Sequence, residues 1–283
     1  MSALSSSQLN DLLVGAVEVT QRAAVPVLSM FRQDPRVWTK DSDGVRTLAD
    51  AGAGAIKNPV TEADLAADQL LREGLLTLYP GSGWLSEETA DTDDRLGREA
   101  GWIVDPIDGT REYVEGVPDF ALSIALSVGG EPALAVLLNP ARDDLFTAIR
   151  GEGARRNGQR ISATVRSEVD GATLLASRTE TKRGEFEPFK ARMGVREVGS
   201  TAYKLALVAA GEGDAYFTRK PRNEWDVAAG ILLCREAGCR VTDLGGEDHT
   251  FNRPDPLCRG VVVAASGIHA EILRMIHAVG TLE

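Results

Sequence analysis

The residues whose type and spacing best suit chemistry are Asp105 and Asp108, which close the apolar run Trp102-Ile103-Val104 in Asp105-Pro106-Ile107-Asp108-Gly109-Thr110. The run reads as the end of a buried strand. Pro106 pushes Asp105 towards extended backbone and keeps a helix from starting at once, so both carboxylates can face one point. Between them Ile107 offers a backbone carbonyl, Gly109 permits a tight turn, and Thr110 adds a hydroxyl at a helix or loop start. The donor set is all oxygen. That suits Mg²⁺, which takes one or two carboxylates, keeps several waters and completes its shell with substrate phosphate. Alone, Asp-Pro-x-Asp-Gly is also an ordinary turn with an Asx cap, so the chemistry depends on what else the chain brings to it.

Two further segments supply acids. Leu85-Ser86-Glu87-Glu88-Thr89 carries a pair upstream, and Glu224-Trp225-Asp226-Val227-Ala228-Ala229-Gly230 sets an Asp at the start of an apolar helix downstream. In this order and at these separations the three segments resemble the inositol monophosphatase superfamily of Mg²⁺-dependent, lithium-sensitive phosphatases, from about Asn58 to the C-terminus. The resemblance implies two or three Mg²⁺ per site. Glu87 and the Ile107 carbonyl would serve one, Asp105 would bridge two, and Asp108 and Asp226 would hold the second. Gly109 and Thr110 would lend backbone N–H groups to the phosphate, as turn and helix-start amides do for anions. Thr110 would also orient the attacking water, with Asp105 and Glu88 as the other catalytic candidates. Hydrolysis of a phosphate monoester requires an activated water, neutralised phosphoryl oxygens and a stabilised leaving oxygen, which metals about 3.5–4 Å apart supply together.

The chain departs from the family pattern at one point. An Asp usually stands shortly before the Val-Thr-x-x-Asp segment, here Val60-Thr61-Glu62-Ala63-Asp64, and helps the motif Thr to activate water. This chain has Asn58 there, which cannot accept a proton. Either Asp41, Asp43 or Asp50 from the long preceding loop takes over, or Glu88 does, or turnover is reduced.

Substrate choice in the family lies in the second half. Inositol-selective members carry an acid six residues before the motif Trp, where this chain has Arg219, and Arg prefers a second anion. Lys204 in Gly199-Ser200-Thr201-Ala202-Tyr203-Lys204, and the run Asp108-Gly109-Thr110-Arg111-Glu112-Tyr113, resemble the phosphoadenosine phosphatases. The resemblance thus implies a substrate-binding set of Gly109, Thr110, Ser200, Lys204, Arg219 and Asp226. It also implies a 3'(2'),5'-bisphosphate nucleotidase that converts phosphoadenosine phosphate to AMP. The alternatives are an inositol monophosphatase, another sugar or histidinol phosphate phosphatase and, in a different class, a non-catalytic phosphate-ligand sensor suggested by Asn58.

Composition bounds the partners. The 283 residues carry a formal net charge of -11 and are 43% hydrophobic. The acidic balance argues against nucleic-acid polymers and membrane surfaces, which want basic patches, and leaves a small phosphorylated substrate, with a homodimer possible. The N-terminal ten residues have neither a basic nor an apolar leader region, so a soluble cytoplasmic protein is expected. Cys234, Cys239 and Cys258 form no Cys-x-x-Cys pair, and His249, His269 and His277 lack ligand spacing, so neither disulfides nor zinc are expected.

The elements that must position these groups follow from periodicity. Helices are expected over 8–30, with Pro26 bending the first, and over 62–78, opened by a Thr61–Asp64 capping box. Residues 34–58 read as a mobile loop or weak hairpin. A strand at 83–86 precedes the central motif, and a β-meander follows from Phe120 to Arg150 with a turn at Asn157-Gly158. After Thr173 strands alternate with helices expected over 184–193, 202–210, 226–237 and 268–278. The reading is a layered α/β sandwich of the sugar-phosphatase type. Its two parts are 1–168, which binds metal, and 169–283, which selects substrate, with the site in the cleft between them.

Overall fold

The computed structural model describes residues 4–41, 46–48 and 58–280. Helix α1 (Ser6–Met30) opens on a reciprocal capping box between Ser5 and Gln8. It continues through Pro26 to Met30, and Ala23, Ala24 and Val27 stay buried on either side of the proline. Helix α2 (Glu62–Leu78) buries Ala63, Ala67, Leu71 and Leu75 at helical spacing. Helix α1 has the length and hydropathy of a membrane span, and its apolar face packs on α2 and the first sheet. Val37–Lys40 pairs antiparallel with Arg46–Leu48 and with Pro59–Thr61, so the weak hairpin forms.

The first sheet has seven strands. Gly83–Ser86 runs parallel to Ala100–Asp108. From there Ala121–Val128, Glu131–Asn139, Asp144–Ile149, Gly153–Arg156 and Gln159–Arg160 follow as an antiparallel meander. Alternation sorts its residues, with Trp102, Val104, Ile124 and Leu126 facing α1 and α2 and Ile103, Ala125, Leu137 and Phe146 facing the opposite layer.

That layer comes from the second half of the chain. After α3 (Thr110–Val114) and α4 (Arg178–Lys182) come α5 (Thr201–Ala209), α6 (Glu224–Glu236) and α7 (His269–Val279). Helices α5 and α6 lie between the two sheets, in one apolar cluster with Phe146 on one side and Leu175, Tyr216 and Val263 on the other. The second sheet has five strands in the order 193–197, 172–176, 215–218, 261–265, 239–242. Its outer face packs on α7 and on Phe186 and Phe189. The layers are therefore helix, sheet, helix, sheet, helix. No helix spans 184–193, because Gly184 sits at φ 76 and Pro188 enters a 3-10 turn over Glu187–Phe189. The three cysteines are buried and free.

Candidate metal centre

The central motif is shaped by a bulge. Asp105 lies opposite Ser123 and Asp108 opposite Ala121, so three steps on one strand match two on the other. Pro106 has no N–H to offer the ladder and fits this slip. The Asp105 carboxylate accepts from the Ile107 N–H at 3.0 Å, and the Ile107 carbonyl accepts from the Thr110 hydroxyl at 2.9 Å. Gly109, at φ 98, caps α3 where a Cβ would meet the Asp119 carbonyl at 2.9 Å.

Carboxylate oxygens of Glu87, Asp105 and Asp226 lie within 4.8 Å of one another. Strand pairing brings the first two together, since Ser86 and Val104 are partners in parallel strands. Asp226 arrives on the first turn of α6, where it also accepts from the Asn223 N–H at 3.1 Å. Burial and mutual repulsion push the Asp105 and Asp226 carboxyls well above the usual carboxylate range, and burial raises Glu87 against the pull of Lys40. An excess of negative charge on converging oxygens is what a hard divalent cation neutralises, so the donor set fits Mg²⁺. Asp108 lines the same cavity of about 510 Å³, as do Ile107, Gly109 and Thr110. Its Oδ2 accepts from the Ser200 hydroxyl and the Ala202 N–H at the start of α5, and burial nonetheless raises its pKa.

Sequence reasoning passed over Asp64, which it used only as a helix cap. Its Oδ2 does accept from the Thr61 N–H and hydroxyl, while Oδ1 accepts from the Thr110 hydroxyl at 3.0 Å. Burial raises this carboxyl to about 7. The available signal was an acid at the third position of a helix, set between the apolar Ala63 and Leu65.

The candidates for the missing acid separate. Glu88 does not reach Thr110; its carboxylate is held by Lys40 at 2.8 Å and Arg46 at 2.9 Å. Asp41 and Asn58 line the cavity, and Asp43 and Asp50 lie outside the described residues. Lys40 also contacts Glu87 Oε1 at 3.2 Å.

Arg219 is not brought to the cleft. Its guanidinium donates to the carbonyls of Gly280 and Glu185, and it lines a separate cavity of about 660 Å³ with Arg259 and His277. The strand 215–218 ends just before it, and the chain turns back only at Arg222. Arg222 instead joins Lys204, Ser200 and Arg111 around a recess of about 160 Å³ beside the carboxylates. Lys204 is buried, donates to the carbonyls of Ser200 and Val198, and is lowered to about 8 by burial.

The chain is similar to known proteins along most of its length. The model of the inositol monophosphatase family matches residues 9–281. The inositol-1-monophosphatase of Rhizobium meliloti is 36% identical over 233 residues, covering 78% of this chain and 85% of the relative. Among solved structures, an IMPase from Thermotoga maritima superposes with TM-score 0.80 at 26% identity, over 95% of this chain and 98% of its own. A staphylococcal IMPase-II with 2'AMP bound does so with TM-score 0.75 at 25% identity, over 93% and 92%. The chain belongs to the inositol monophosphatase family and is a metal-dependent phosphatase.

Proposed function

We propose that Glu87, Asp105, the Ile107 carbonyl, Asp108 and Asp226 hold Mg²⁺ and that the cleft above them hydrolyses a small phosphate monoester. The observation that carries this reading is the convergence of three carboxylates from distant segments within 4.8 Å beside the hydrogen-bonded Thr110–Asp64 pair. Bound Mg²⁺ supplies the positive charge that phosphoryl and leaving oxygens need. The chain's own residues do the rest. With its proton directed at Asp64 or at the Ile107 carbonyl, the Thr110 oxygen keeps lone pairs that accept from a water and aim it. Asp64, raised to about 7, can take the proton that Thr110 passes on, a value that suits a base near neutral pH. At the start of α3 the first N–H groups have no intrahelical acceptor and are available to phosphate oxygens.

Inositol 1-phosphate is the first substrate to try, because the curated relative is named for it. The bisphosphate nucleotidase reading has lost Arg219 and rests instead on Lys204, Arg222 and Arg111 around the adjoining recess. A panel of inositol 1-phosphate, phosphoadenosine phosphate, histidinol phosphate and fructose 1,6-bisphosphate, each with and without Mg²⁺, tests the proposal. Mg²⁺-dependent phosphate release, inhibited by lithium and lost in Asp105→Asn, is expected. No release from any ester would sink the phosphatase site as drawn.

A further inference from the structure

We infer that the cavity at one end of the second sheet is a second ligand site, shaped for a small molecule that joins an apolar body to one anionic group such as a carboxylate or sulfonate. It stands apart from the phosphatase reading, because none of its lining residues borders the cleft over the carboxylates or the recess beside it. The register of the sheet builds it. Thr218 pairs with Val261 and Thr242 with Val262, so two strands end, and the strand between them begins, at one level. Arg219, Asp243 and Gly260 therefore leave the sheet side by side, and the end of α7 adds a wall with Ile276 and His277. Gly260, at φ 71, passes so near the Thr218 carbonyl that a Cβ would meet it at 2.7 Å, which keeps this end of the sheet bare.

At about 660 Å³ the cavity has the size of sites that hold small organic ligands, roughly 300–1,000 Å³. Pro221, Leu244 and Ile276 give it apolar surface, and its charged side chains are mostly cationic. Arg219 donates to the carbonyls of Gly280 and Glu185, at 3.1 and 3.2 Å, and pairs with no carboxylate among the described residues. Arg259 is exposed, and its guanidinium has no hydrogen bond or ion pair among the described residues. His277 donates its Nε2–H to the Leu244 carbonyl at 2.6 Å. Asp243 is the one acid in the lining, and its Oδ1 is held by the N–H groups of Gly245 and Glu247. Two guanidinium groups against one carboxylate leave a positive excess in a chain whose net charge is -11, and planar guanidinium groups pair best with a carboxylate or similar anion. An inorganic anion alone would leave the apolar walls wet, whereas an aromatic or aliphatic body covers them.

Calorimetric titration of the Mg²⁺-loaded full chain with 2-naphthoate and with naphthalene-2-sulfonate tests this, against 2-naphthalenemethanol as the neutral body and acetate as the bare anion. One equivalent of at least one naphthalene anion should bind, with the alcohol and acetate roughly tenfold weaker or more. Arg259→Gln should weaken that binding roughly ten- to a hundredfold, the scale of one charge-assisted hydrogen bond, and Arg259→Glu should weaken it further. Arg219→Gln should act in the same direction, but Arg219 also ties down Gly280 and Glu185, so exposed Arg259 decides alone if that variant does not fold. Asp105→Asn, which alters the cleft, should bind the anion as the unaltered chain does. Binding of neither anion, equal binding in Arg259→Gln, or binding lost in Asp105→Asn overturns the second site. Phosphate release is measured apart from these titrations, so the phosphatase reading stands or falls on its own.

Discussion

The Thr110 hydroxyl donates to Asp64 across 3.0 Å, joining the first turn of α3 to the first turn of α2. The same carboxylate closes the capping box of α2, so one buried acid fixes a helix start and the hydroxyl beside the carboxylate cluster. Asp64→Asn keeps the shape and loses the basicity. Its kcat should fall by about 10²–10⁴, the usual worth of a positioned acid or base, while Mg²⁺ affinity measured by calorimetry stays close to that of the unaltered chain. Weakening the cap should cost about 0.5–2 kcal/mol of stability. An undiminished kcat would remove Asp64 from the chemistry.

Asp105→Asn should act differently. It takes a proposed bridging ligand from a cluster whose charges repel one another, so turnover and Mg²⁺ binding should both be lost while the metal-free protein becomes no less stable. Removing a key charge-stabilising group typically costs about 10²–10³-fold. A variant that keeps more than roughly a tenth of its activity would refute the ligand assignment.

Much of this was legible in the sequence, for identifiable reasons. Helices α1, α2 and α7 were legible because one face of each is buried, while the central strands and α5, buried all round, showed as apolar runs between turn residues. The central motif was legible because Pro, Gly and acid types at fixed spacing constrain the backbone locally. Arg219 misled because its spacing from Trp225 indicates a register but not how sharply the chain turns after Thr218. Arg222, three residues later, is the cation that reaches the recess. The capping box at Asp64 forms as expected, and its second partner, Thr110, 46 residues away, left no local signal. The absent helix at 184–193 follows from Gly184 and Pro188, which break the helical backbone, while Phe186 and Phe189 still reach the outer core from the turn and so mimic a helical apolar pattern.

Stability of the metal-free protein should fall as pH rises. Asp105, Asp226, Glu87 and Asp64 all have carboxyls raised in the folded state. The folded state therefore holds protons that the unfolded chain, with carboxyls near 4, has released. Above that value the slope of unfolding free energy with pH is negative until the raised groups also ionise. Melting temperature without metal should drop between about pH 5 and pH 8, and saturating Mg²⁺ should flatten that slope by favouring the ionised cluster. A metal-free melting temperature that rises over this range would contradict the charge excess.

Lys40 contacts Glu87 Oε1 at 3.2 Å and Glu88 Oε1 at 2.8 Å, so it stands where a cation over Glu87 would be repelled. Lys40→Met should tighten Mg²⁺ binding several-fold, because Glu87 loses a competitor and Glu88, still held by Arg46, adds unneutralised charge nearby. Calorimetry reads this directly. Weaker Mg²⁺ binding would mean that Lys40 orients Glu87 instead of competing for it.

The last expectation concerns the two parts of the chain. Residues 1–168 contain the whole first sheet and residues 169–283 the whole second, yet the middle helices α5 and α6 cover the inner face of both. A chain ending at residue 168 would leave Ile103, Leu137 and Phe146 open to water on that face. Each such side chain contributes about 1.5–3 kcal/mol on burial, so these three alone amount to roughly 5–9 kcal/mol. That is comparable to the whole stability of a domain, about 5–15 kcal/mol. We therefore propose that the parts are structural halves and not independent folding units. The full chain should unfold in one transition whose midpoints by near-UV and far-UV circular dichroism coincide. A 1–168 fragment should lack cooperative unfolding. A fragment with a native-like near-UV spectrum and a sharp melt would show instead that the metal-binding half folds on its own.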